Sequence, residues 1–206
     1  MHNHYYWIHR CRDFRKEIAV LQEVAVQRIL PIWALTDQES ETNAEVVGAR
    51  LNVGGDHESE SDEEPEFAHY VAMENAHQGL LNLLAVALHH LVEQQQITVL
   101  RQELFLRDET VNYQMLSVTE FVKRLAAADI KVAESASWLE IEELRNVANA
   151  VKHAEGPSAE WLRNHRPKIF TAPVLRDEPF FQGPSRWLFQ PMTGQDLYVT
   201  SDDIAR

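Results

Sequence analysis

The residues best suited to chemistry sit in one short run, ELRNVANAVKHAEGPS, at 143–158. Arg145, Asn149 and His153 fall at i, i+4 and i+8, so on a helix they stack down one side. An imidazole that titrates near neutral pH stands there with a guanidinium and a carboxamide. Asn146 and Lys152 adjoin them, and a second basic cluster, Arg163, His165, Arg166 and Lys168, follows closely. A cationic locality of this kind inside an acidic chain is what a phosphodiester substrate requires. The same pattern also describes an ordinary solvated face. Ile141, Leu144, Val147, Ala148 and Val151 form an apolar stripe with Glu142, Arg145, Asn146, Asn149 and His153 opposite, and a histidine in a last turn suits the helix dipole.

The elements that must position these residues are helical. Phe14, Ile18, Leu21, Ile29 and Trp33 recur at three- and four-residue spacing, which predicts a helix over about 12–34 that Pro31 kinks or ends. Residues 37–66 then lose periodicity and read as a long, mobile acidic loop, with ARLNVGGD at 49–56 as a small hairpin within it. A long helix follows over about 67–96. It is apolar on most sides (Leu80, Leu81, Leu84, Leu88, Leu91), with a narrow polar stripe of Glu74, Gln78, Asn82, His89 and Glu93, a pattern suited to the centre of a bundle. A shorter helix is predicted over 116–128, with Ser117 as N-cap and Glu120 at the capping-box position.

The run that carries Arg145 and His153 is predicted as a helix over 137–154, with Gly156 as its left-handed cap and Pro157 blocking continuation. SAEWLRNHR makes a further short helix capped by Ser158. Beyond Pro167 the helical period is lost, and 168–206 reads as an irregular C-terminal arm. One short strand is expected at LYVT, and Phe180, Phe181, Trp187 and Phe189 are available to dock on the helices. The fold expected is all-α: a single domain over 1–206, a four- to five-helix bundle with a long acidic loop and an irregular arm.

Composition sets the class. The chain has 206 residues, 45% of them hydrophobic, enough for one sizeable core. Seven glycines are few for a sandwich or barrel. Cys11 is the single cysteine, which excludes a disulfide framework and a cysteine-based zinc site and suits a reducing compartment. The start, MHNHYYWIHRCRDFRKE, does not read as a secretory signal, and LLNLLAVAL at 80–88 is too short to span a bilayer. A soluble cytoplasmic protein that uses no membrane is expected. Between Asp37 and Glu66 eleven acidic residues face one basic residue, Arg50, so this segment alone carries −10 of the formal −13. The net charge therefore does not describe the surface around His153.

A late bundle helix carrying arginine, polar residues, then histidine near its end resembles the HEPN superfamily. These are all-α proteins, usually dimeric, of toxin–antitoxin, abortive-infection and other defence systems. The resemblance covers about residues 67–166, and its specific content is the Arg145-Asn146…His153 motif. It implies a metal-independent endoribonuclease that needs no cofactor and cuts RNA by attack of a ribose 2′-OH on the adjacent phosphate. His153 would be general acid or base, Arg145 would hold the phosphate, and Asn149 or Asn146 would orient one of them. Lys152, Arg163 and Arg166 would add RNA-binding charge. A homodimer would bring two histidines into one cleft, and an antitoxin or other partner protein would be expected to control it. Seven residues separate Arg145 from His153, one more than is usual in the family. Asn149 standing in as the polar partner, a distorted helix end, or lost catalysis would each account for that. The acidic loop would mimic nucleic acid and screen the basic patch.

Two other classes use the same residues. A metal-binding bundle would draw on the single Glu-x-x-His of Glu74 and His77, with His89, His90 and His153 as further ligands. A non-catalytic helical interaction module would pair the polar stripes with each other or with a partner, with Glu74–Arg145 as the salt bridge. No phosphate-binding glycine loop and no G-x-S-x-G nucleophile elbow is present.

Overall fold

The computed structural model describes residues 4–31, 65–173, 176 and 196–205. The expected hairpin at 49–56, nearly all of the acidic loop and the four aromatics of the C-terminal arm lie outside the described residues. The chain is all-α: no strand occurs among the described residues. Helix α1 spans His4–Val24 and continues as a π turn over Ala25–Ile29. Helix α2 spans Pro65–Val99 and also ends in a π turn, Leu100–Leu104. Helices α3 (Val118–Ala127), α4 (Ala136–His153), α5 (Pro157–His165) and α6 (Ser201–Ala205) follow. Short 3₁₀ turns at Tyr113–Met115, Val132–Glu134 and Pro167–Phe170 connect them.

The caps explain several boundaries. Ser117 accepts a hydrogen bond from the Glu120 amide at 3.2 Å and starts α3, as its spacing predicts. The reciprocal half of that box does not form, because the Glu120 carboxylate is taken by Arg124 at 2.8 Å. Ser135 caps α4 by accepting from the Trp138 amide at 3.2 Å. The turn between α4 and α5 differs from the expected one. Ala154, and not Gly156, follows the last helical residue at positive φ (58°), while Gly156 (φ 151°) becomes the N-cap of α5. Pro157 opens α5 instead of merely ending α4, since its missing N–H is no loss at a first helical position. Ser158 accordingly falls inside α5 and not at its cap.

Two apolar clusters hold the elements. Leu81, Leu84, Ala85 and Leu88 of α2 pack with Val147 and Ala150 of α4, Leu162 of α5 and the C-terminal Leu197, Val199 and Ile204. A smaller cluster at the far end of α2 joins Leu100 to Phe121 and Leu125 of α3, with Trp138 of α4 packed against it. Arg124 ties the connecting loop down. It pairs with Glu109 and Glu120, donates to the Leu104 carbonyl at 3.0 Å and lies over the Phe105 ring at 4.3 Å.

The expected strand at LYVT is instead a segment without regular secondary structure, held by side chains and by one backbone bond. Gln78 Nε2 donates to the Val199 carbonyl at 2.9 Å, and Asn82 Nδ2 donates to the Leu197 carbonyl at 3.0 Å. The Tyr198 amide donates to the Ile169 carbonyl at 2.8 Å, and Arg176 donates to the Tyr198 carbonyl at 2.8 Å. With these partners the segment needs no second strand. The arm then ends in an ordered turn, α6, in which Thr200 and Asp203 bond reciprocally.

Candidate functional site

Helix α4 is unbroken through His153, so Arg145 and His153 stay about 12 Å apart along its axis, from a rise of 1.5 Å per residue. The positive-φ residue, Ala154, lies beyond His153 and does not shorten that separation. A distorted helix end is therefore not what accommodates the longer spacing. Arg145, Lys152 and His153 are exposed and Asn149 is half-buried between them. Arg145 turns back one turn to pair with Glu142 at 3.2 Å, away from His153.

The other basic and polar candidates are placed differently. Asn146 faces inward, 5% exposed, and donates Nδ2 to the Glu142 carbonyl of its own helix at 2.9 Å. It is part of the interior of the fold, one helical step of about 100° away from Arg145. Arg163 pairs with Glu155 and lies 5.4 Å from the Phe170 ring centre. Arg166 pairs with Glu143 and, at 2.8 Å, with Asp203, joining α4 to α6. Burial alone would raise the Asp203 carboxyl. The Thr200 amide and hydroxyl and the Arg166 guanidinium together hold it below its ordinary value. The structure thus brings Arg145, Asn149, Lys152 and His153 to one side and commits Arg163 and Arg166 to internal ion pairs.

Beside Arg145 lies a cavity of about 300 Å³ between α2, the start of α3 and α4. His89 of α2 lines it, 9% exposed, and makes no hydrogen bond among the described residues. Burial is the first cause that lowers its pKa. Glu93 opposes this, while Lys152, Arg145 and His90 push in the same direction, so the neutral imidazole is favoured near pH 7. The cap residue Ser117, Thr119 and Trp138 also face the cavity. The sequence singles out His89 as a member of the α2 stripe and as a candidate metal ligand. Its meeting with Arg145, and the part played by Trp138, depend on how α2 crosses α4.

That stripe divides in two. Gln78 and Asn82 hold the C-terminal segment, and His89 and Glu93 line the cavity. The Glu74–Arg145 bridge does not form, because Arg145 takes Glu142. Among the described residues, no group of three His, Cys, Asp or Glu side chains comes together that could hold a metal ion. No described helix is long and apolar enough to cross a membrane. Compared with protein-family models, with curated proteins and with solved structures, the chain matches none.

Proposed function

We propose that this chain is a metal-independent endoribonuclease of the HEPN kind, acting in a bacterial defence or toxin–antitoxin setting, whose site forms between two copies of α4. The supporting observation is the position of Asn149, midway between Arg145 and His153 on one side of an unbroken helix. Two such helices crossing antiparallel at Asn149 about a two-fold axis bring Arg145 of each chain against His153 of the other. The long spacing within one chain then becomes a short one between chains. In each composite site Arg145 holds the phosphate, His153 moves the proton of the 2′-OH or of the leaving oxygen, and Asn149 orients them by hydrogen bonding. Lys152 adds charge at the edge. An antitoxin or other partner protein would act by covering this face.

A second reading, a non-catalytic helical interaction module docking through the same face, is favoured by one observation. Arg145, Arg163 and Arg166 are already paired with carboxylates of their own chain. Incubation of purified protein with cellular RNA in EDTA, wild type beside His153→Ala, separates the two. Cleavage that survives the chelator and is absent in the variant supports the ribonuclease. Intact RNA with both proteins leaves the docking module.

A further inference from the structure

A separate cavity of about 270 Å³ lies against the main apolar cluster, where α1, α2, α4 and α6 meet. Protein interiors pack closely and leave few voids larger than a water molecule, so a space of this size calls for an occupant. Leu88, Val147, Ile169, Val199 and Ile204 are buried and form its floor. Ile18, Ile141 and Leu144 are half-buried and form its walls, and no aromatic ring lines it among the described residues. Ser137 and Glu140 are exposed and mark the mouth. The cavity is thus an aliphatic slot open at one end. Its volume falls just under the roughly 300 Å³ at which drug-sized ligand sites begin, so it suits one short chain.

The charges around the slot decide what that chain must carry. Arg166 is the one cation lining it among the described residues, and it is taken on both sides, by Glu143 and, at 2.8 Å, by Asp203. Asp203 is fixed in turn by the Thr200 amide at 3.0 Å and the Thr200 hydroxyl at 2.8 Å. No surplus cation is left to answer a carboxylate or a phosphate. Glu140 adds a third carboxylate at the mouth, with no ion-pair partner among the described residues. An apolar tail with a positive end matches the lining and the charge together. We propose that this cavity binds a small amphiphile, an aliphatic chain carrying one primary ammonium group. The tail fills the slot between Leu88, Leu144 and Ile204, and the ammonium meets Glu140 at the mouth. Burial of the tail supplies most of the affinity. The head-group charge, screened by solvent, contributes a modest preference and fixes its sign. The assignment is independent of the ribonuclease reading, since neither Arg145 nor His153 lines the space.

The test titrates octylamine, octanol and octanoate into the full chain at pH 7 and low salt, followed by NMR of labelled Ile and Leu methyl groups. The three probes share one tail, so a difference among them reports the head group. All shifts are expected at Leu88, Leu144 and Ile204, and none at Leu100 and Leu125 of the second apolar cluster. Octylamine is expected to bind about two- to fivefold more tightly than octanol, the worth of one solvent-exposed ion pair, and octanoate more weakly than either. At about 1 M salt the ranking should collapse while the tail still binds. Glu140→Gln is expected to keep the wild-type melting temperature, because Glu140 is exposed, and to remove the advantage of the amine over the alcohol. Absence of shifts at those three residues overturns the proposal. Equal or reversed ranking of the amine and the carboxylate overturns it as well, as does an amine advantage that survives Glu140→Gln.

Discussion

Replacing Asn82 by alanine should loosen the C-terminal segment and lower the stability of the chain. Asn82 is 3% exposed; its Nδ2 donates to the Leu197 carbonyl at 3.0 Å, and its Oδ1 accepts from Gln78 at 3.1 Å. Leu197 is fully buried, so water cannot replace the lost donor. A buried acceptor left without a partner costs about 1–3 kcal/mol. At 206 residues, each kcal/mol lowers the melting temperature by roughly 2–4 °C, so a loss of about 4–8 °C is expected for a mid-range cost. Asn82→Asp should cost more, because a carboxylate would then face the Leu197 carbonyl. Thermal melts by circular dichroism measure the loss, and hydrogen exchange of the amides at 198–204 locates it. A melting temperature within 1 °C of wild type, with unchanged exchange in that segment, would refute the view that α2 holds the arm through its polar stripe.

Other outcomes follow from the same structure. Asp203 is held below its ordinary carboxyl value of 3.8. Its ion pair therefore contributes stability that is fully present above pH 3.8 and is lost as the pH falls through the lower folded value. Asp203→Asn should flatten that acid limb of the stability curve, and a full limb in the variant would assign it to other groups. His89 should protonate below its ordinary 6.5 in an NMR titration, and Arg145→Met should move it part of the way back. A normal midpoint would mean that the cavity is open to water.

Much of the scaffold was legible from local signals. The cap Ser117 is legible because a cap satisfies its own first turn. Leu81, Leu84 and Leu88 recur at helical spacing and are buried as that spacing implies. The misreadings arose where a distant partner decides. The polar stripe of α2 suggested a bond to Arg145. Gln78 and Asn82 instead meet carbonyls more than a hundred residues away, at Val199 and Leu197. LYVT has strand composition, yet the hydrogen bonds of that segment go to side chains and to Ile169. At the candidate site, the wheel puts Arg145, Asn149 and His153 on one side of α4, which runs unbroken through them. It also put Asn146 beside them, although a 100° step carries that side chain into the core. The cavity with His89 and Trp138 could not be read from α4 alone, since its walls come from three helices.

The composite site between antiparallel α4 helices is tested most directly by mixing two inactive variants, Arg145→Ala and His153→Ala, after brief unfolding and joint refolding. In a mixed dimer one site loses both residues and the other keeps both. Random pairing of equal amounts should therefore restore about a quarter of the wild-type cleavage in EDTA. A mixture as inactive as its components would contradict the account, because it would mean that Arg145 and His153 do not meet across two chains.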